Sequence, residues 1–167
     1  AAQRVCAAVD ESLQQAGFLL VTGHGLDPEL PRSLRAAARR FFALPADVKG
    51  RYSAGVGGRG WIGPGKEANG FAEGTETPPD LKESFTSGAQ TPVGIPEIDG
   101  YWFAPDVWPA ETPELRELIT AWTSQMRRLS DDLLALMAAA LGLVGPDNPF
   151  RDLASTPTWS SNINHYP

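Results

Sequence analysis

Thr112-Pro113-Glu114-Leu115-Arg116-Glu117-Leu118-Ile119 opens the stretch whose reading decides the fold. Thr112 is placed to cap a helix, with Pro113 and Glu114 in its first turn. Leu115, Leu118, Ile119, Trp122, Met126, Leu129, Leu133, Leu136, Met137 and Ala140 then recur as one stripe until Gly142. Apolar residues at three- and four-residue spacing are the signature of one buried helix face. Arg116, Glu117, Arg127, Arg128, Asp131 and Asp132 fill the remaining positions. At about 1.5 Å per residue such a helix is on the order of 40 Å long, enough to form the spine of a domain. Trp122 and Met126 read as core within that stripe, not as a cofactor box.

Working outward, the period changes. Leu81, Glu83 and Phe85 alternate with Lys82 and Ser84, as a strand would. Near the start, Val5, Val9, Leu13 and Ala16 mark a helix stopped by Gly17, and Phe18-Leu19-Leu20-Val21 reads as a short buried strand. Thr22-Gly23-His24-Gly25 turns the chain out of it. A second helix is expected from Asp27 as cap and Pro28 as first residue, with Leu30, Leu34, Ala38 and Phe41 facing inward and Leu44-Pro45 ending it. From Gly50 to Pro79 the chain is rich in glycine and proline. A loop of that length usually covers a site or is disordered, and Trp61 and Phe71 favour a packed cover. The fold class is therefore α/β of the α+β kind, helices packed on a few strands, without internal repeats or a clean linker.

Composition sets further bounds. With 167 residues and 42% hydrophobic content the chain is one domain's worth of material. Fourteen basic against twenty acidic side chains, a net charge of −6, argue against a nucleic-acid partner. The lone Cys6 excludes an internal disulfide and fits a reducing compartment. No apolar run approaches the roughly 20 residues needed to span a bilayer, so no membrane partner is expected. These features point to a cytoplasmic location.

Several motifs invite a chemical reading. Gly55-Val56-Gly57-Gly58-Arg59-Gly60 spells a dinucleotide-binding glycine pattern, but no apolar strand precedes it and Pro64 obstructs the helix that should follow. Gly60 to Gly65-Lys66 approximates a phosphate loop in which Glu67 replaces the required Ser or Thr. His24 and His165 lack the His-x-Asp neighbour of a facial-triad iron site, and one cysteine with two distant histidines is poor material for zinc. Each histidine is read as a locally hydrogen-bonded residue, and no metal ligand or catalytic residue is assigned. Glu83, on an apolar strand face, needs a partner because an unpaired buried carboxylate is costly. It is either a site carboxylate or, the reading preferred here, half of an ion pair with a Lys or Arg from the cover loop. Arg59, between glycines and beside Trp61, could grip a substrate carboxylate bidentately or remain a solvated loop residue.

Taken in order, seven segments resemble the N-terminal region of the isopenicillin N synthase-like, iron(II)- and 2-oxoglutarate-dependent oxygenases. They are 17–25 (Gly17 to Gly25), Phe41-Phe42-Ala43-Leu44-Pro45 with Lys49, Arg59-Gly60-Trp61 and Asp80-Leu81-Lys82-Glu83-Ser84-Phe85. Trp108-Pro109, Leu141-Gly142-Leu143 and Asn164-His165-Tyr166-Pro167 complete the set. Asn162 departs from the family, which often has Arg there.

The resemblance implies a jelly-roll, or double-stranded β-helix, oxygenase truncated before its core. Residues 1–157 would be the non-haem dioxygenase N-terminal domain, and 158–167 the first strand of the catalytic core. It implies iron(II) and 2-oxoglutarate as cofactors of the full-length protein, whose decarboxylation of that acid drives hydroxylation, desaturation or ring closure of a small-molecule substrate. Asn164 and Tyr166 match positions that hydrogen-bond 2-oxoglutarate, and Arg59 matches a substrate-binding position. The iron ligands and the Arg-x-Ser of the family would lie downstream, so Arg51-Tyr52-Ser53 is set aside. This segment alone is expected to be inactive, to bind no cofactor tightly, and to need its own missing C-terminal core as partner. A 2-oxoglutarate-independent oxidase of the same family, or a non-catalytic interaction module of the same shape, remain open alternatives.

Overall fold

A computed structural model of the chain describes residues 2–53, 58–66, 78, 80–143, 145 and 148–167, with backbone alone at 2 and 101. They divide into two compact units, Ala1–Pro28 with Ala121–Pro157, and Glu29–Thr120 with Thr158–Pro167. The elements in order are α1 (Ala2–Ala16), α2 (Leu30–Phe42), α3 (Ala46–Gly50), β1 (Gly60–Ile62), β2 (Glu83–Gly88), α4 (Pro96–Trp102), α5 (Glu114–Ala140), α6 (Phe150–Leu153) and β3 (Ser160–His165). Among these described residues no helix is long and apolar enough to cross a membrane.

The first unit holds α1, α6 and residues 121–140 of α5. Helix α5 ends as the glycine foretold. Gly142 takes φ +75, its N–H bonds Ala139 O at 3.1 Å, and Leu143 N–H bonds Ala138 O at 2.8 Å. That pair of bonds satisfies the last carbonyls, and the left-handed residue between them is cheapest as glycine. Arg127 ties the helix to the segment after α6 by donating to Ala154 O at 2.8 Å.

Three local expectations are corrected. Phe18-Leu19-Leu20-Val21 is not a strand: the two-residue period survives, with Leu19 and Val21 half-buried, but Phe18 is 81% and Leu20 96% exposed. A strand is defined by the ladder it shares, and no described segment bonds this one. Asp27 caps nothing. Its N–H instead donates to Gln125 Oε1 at 3.0 Å, and α2 starts later, at Leu30, with Pro31 in its opening turn and no side-chain cap from Glu29. Thr112 serves α5 through its backbone carbonyl, which accepts from Leu115 N–H at 3.1 Å, while its hydroxyl is buried with no partner.

The second unit is built on an antiparallel three-stranded sheet in the order β1-β2-β3. Gly60, Trp61 and Ile62 pair with Thr86, Phe85 and Ser84, and β2 pairs with β3 from Glu83↔His165 to Gly88↔Ser160. Helix α2 packs an amphipathic face with Leu34, Ala38 and Phe41 inward, as the spacing predicts. The Phe41 ring meets Phe85 edge-on at 5.0 Å, and Phe85 lies 6.0 Å from Trp108. Because β2 is the central strand, both its faces are covered and the expected in–out alternation is lost. Ser84 is as buried as Phe85, while Leu81 lies before the strand and is 80% exposed.

Candidate functional site

The strand period sorts the sheet into two chemically distinct faces. Trp61, Glu83, Phe85 and His165 share one, by register and alternation. Ser84, Thr86, Asn162 and Asn164 share the other, where Thr86 Oγ1 donates to Asn162 Oδ1 at 3.3 Å.

The first face is organised around one carboxylate. Glu83 Oε2 accepts from Lys49 Nζ at 2.7 Å and from Trp61 Nε1 at 2.6 Å. Glu83 Oε1 meets His165 Nδ1 at 3.1 Å. Burial pushes the Glu83 carboxyl up. The hydrogen bonds from Lys49, Trp61 and His165, with the Lys49 charge, outweigh it and hold Glu83 below the usual carboxylate range. An ionised carboxylate only accepts, so the proton of the His165 contact sits on Nδ1. Lys49 donates a second bond to Phe42 O at 2.9 Å, and its ammonium lies 5.4 Å from the Trp61 ring centre. The Phe42 ring stacks on the imidazole at 5.0 Å and 11°. Glu83 is thus half of an ion pair, as preferred, although its cation comes from α3 rather than from the loop after Gly50. His165 is not locally bonded. Its partner stands 82 residues away and is brought to it by strand register. His24 does bond locally, accepting from Leu26 N–H at 3.1 Å.

On the second face Asn164 pairs opposite Ser84 and is exposed, and Tyr166, just past the strand, is 72% exposed. An extended backbone continuing one residue past β3 would keep the two on one side. Arg59 is arranged otherwise. It is 3% exposed, donates to Trp102 O and, at 3.3 Å, to Ala104 O, and lies 3.7 Å from Asp106 Oδ1. A Cβ on Gly88 would fall 1.6 Å from its Nη1, so the guanidinium fills the place of a Gly88 side chain. Gly88 pairs with Ser160, four residues along β3 from Asn164, roughly 13 Å at the usual strand rise. Burial raises the Asp106 carboxyl above its ordinary value, against the bond from Gly88 N–H and the charges of Arg59 and Arg116.

Of the nucleotide-like motifs, Gly55, Val56, Gly57 and Glu67 lie outside the described residues, as does Phe71 of the expected cover. Gly58, Arg59 and Gly60 lead into β1 and not into a helix, so the phosphate-binding helix N-terminus is not formed there. Among the described residues no group of three or more His, Cys, Asp or Glu is placed to hold a metal ion. Sequence reasoning gave Lys49, quoted only within the resemblance, no role, and missed Asp106. Their one available signal was the rule that a buried charge needs a counter-charge, which names no partner.

Comparison with known proteins places this geometry. Residues 1–111 match the family described as non-haem dioxygenase in morphine synthesis N-terminal. Validamycin A dioxygenase of Streptomyces hygroscopicus subsp. limoneus is 34% identical over 160 residues, covering 95% of this chain and 43% of that protein. The 2-oxoglutarate-dependent dioxygenase citB of Monascus ruber is 33% identical over 175 residues, covering 100% and 51%. A crystal structure assigned to the 2OG-Fe(II) oxygenase family, from Caulobacter crescentus, superposes with a TM-score of 0.79 at 28% identity, over 99% of this chain and 52% of that one. The chain spans about half the length of the curated relatives it matches.

Proposed function

The chain belongs to the non-haem dioxygenase N-terminal family, and on that premise we propose that it is the amino-terminal part of an iron(II)- and 2-oxoglutarate-dependent oxygenase acting on a small molecule. In this reading residues 1–157 form the N-terminal domain and 158–167 the first strand of the double-stranded β-helix, which pairs with β2. The observation that carries the reading is the exposed polar side of β3, backed by a closed ionic and aromatic side.

The described residues fit the organic acid better than the metal. Asn164 offers an amide donor and Tyr166 a phenolic one, both exposed, one in β3 and one just past its end. Such donors suit a carboxylate or keto oxygen, and their bonds strengthen once water is excluded. The described residues hold no three-ligand cluster, so no step is assigned to iron here. When bound, iron held by residues outside the described set and the 2-oxoglutarate oriented here would together activate dioxygen, the acid giving up the electrons released by its decarboxylation. The role of this chain is to orient the acid and keep it dry. A substrate contact from Arg59 would require its guanidinium to leave Asp106 and the Trp102 and Ala104 carbonyls.

Turnover of the full-length protein is expected to require both iron(II) and 2-oxoglutarate. Tyr166→Phe is expected to raise the apparent KM for 2-oxoglutarate about tenfold, the worth of one hydrogen bond to a charged group. Turnover without the acid would indicate the oxidase alternative, and an unchanged KM would remove Tyr166 from the site. Residues 1–167 alone, titrated anaerobically with iron(II) and 2-oxoglutarate, are expected to show no tight stoichiometric iron binding. Observing it would contradict the proposal.

A further inference from the structure

We infer that Glu83, held by Lys49 and Trp61, is a positioning residue that orients Asn164 and Tyr166 through His165, from the opposite side of the sheet. The inference rests on the proposed role of those two residues and adds a group that never touches the co-substrate.

The argument is geometric. β3 ends at His165, so the Glu83↔His165 pair is the last rung of the ladder. Terminal rungs fray unless something beyond the backbone holds them. Here the imidazole is held on its edge by Glu83 Oε1 at 3.1 Å and on its face by Phe42 at 5.0 Å. Asn164 and Tyr166 flank that residue on either side; Asn164 faces the other way by the strand alternation, and Tyr166 would do so if the extended backbone runs on one residue. Neither has a side-chain bond of its own among the described contacts, so His165 is the anchored point nearest to both. The anchor is itself fixed from three elements. Lys49 links the carboxylate to the last carbonyls of α2 through Phe42 O, and Trp61 links it to β1. A one-residue slip of β3 would send His165 to the polar side and Asn164 to the ionic one, with Glu83 and Lys49 left without His165. Supporting hydrogen bonds of this kind elsewhere govern how well the contacting residues bind.

The test uses the full-length protein with 2-oxoglutarate varied. Glu83→Gln is expected to raise the KM for 2-oxoglutarate about tenfold while kcat at saturation stays within about twofold, because orientation of the acid and not the chemistry is disturbed. In a double-mutant cycle with Tyr166→Phe the two effects are expected to be non-additive, the second substitution adding little to the first. An unchanged KM in Glu83→Gln, with Tyr166→Phe still raising it, overturns the inference and leaves the proposed function standing. Fully additive effects overturn it as well. No effect from Tyr166→Phe removes the reading on which it rests. If Glu83→Gln does not fold, Trp61→Phe removes one donor to the same carboxylate and keeps the ring. It is expected to move KM in the same direction, and an unaltered KM there is equally decisive against the inference.

Discussion

Gly60→Ala is expected to destabilise the fold by about 2–5 kcal/mol, the sum of a left-handed backbone penalty and an overpacking cost. Gly60 has φ +74, and a Cβ built on it would lie 1.9 Å from Tyr52 O and 3.5 Å from Val107 Cβ. The obstructing atom is backbone, and it is already engaged: Tyr52 O accepts Trp61 N–H at 2.9 Å. Relief therefore requires moving the segment that carries Trp61, or giving up that bond. Gly60 also separates Arg59 from Trp61, and these two side chains enter different buried networks, one around Asp106 and one around Glu83. A shift of β1 disturbs both. Gly94→Ala is the control, since Gly94 has φ +85 but nothing within 4 Å of its built Cβ. It isolates the backbone penalty, about 1–2 kcal/mol. Urea denaturation followed by tryptophan fluorescence reads both variants. Equal midpoints for the two would show that the contact with Tyr52 O costs nothing.

What the sequence disclosed follows from the range over which each signal acts. The helices α1, α2 and α5 were legible because helical periodicity is a property of neighbouring residues, and Gly17 and Gly142 stop their helices by local backbone preference. The short elements α3, β1 and α4 were not, since five, three and seven residues are too few to display a period. Phe18 to Val21 misled for a different reason: an apolar run reports a wish to be buried, whereas a strand also needs a partner ladder. The site shows the same divide. Glu83 announced its need for a cation through its apolar neighbours, but Lys49 stands 34 residues away and no spacing rule connects them. His165 looked isolated until register set it opposite Glu83. Arg59 was read as open because it is flanked by glycines. In the fold it is closed, because the space for its guanidinium comes from the missing side chain of Gly88 on another strand. Asn164 and Tyr166 were read through resemblance and strand parity together; both are exposed, and Tyr166 lies one residue past the end of β3.

Lys49→Met is expected to cost about 3–5 kcal/mol at neutral pH, the usual penalty for leaving one partner of a buried ion pair uncompensated. Both side chains are 9% exposed, so solvent cannot replace the lost ammonium. The pH dependence distinguishes this cause from simple loss of packing. In the unaltered protein Glu83 titrates below the ordinary carboxylate value of 4.5. Its contribution is therefore complete above that value and is lost as the pH falls through the lower folded one. Without Lys49 the balance is expected to reverse, because burial, the largest influence on this carboxyl, is then opposed only by the bonds from Trp61 and His165. Glu83 then takes up its proton more readily folded than unfolded, so the deficit shrinks as the pH is lowered toward and below 4.5. Denaturation at neutral and at mildly acidic pH measures it, and a deficit that stays constant between the two would mean that charge is not the cause. Adding Glu83→Gln to Lys49→Met is expected to recover much of the loss at neutral pH, since the neutral amide needs no counter-charge. The pair would then be a device for specifying the strand register and not a net source of stability, because removing both charges costs less than removing one.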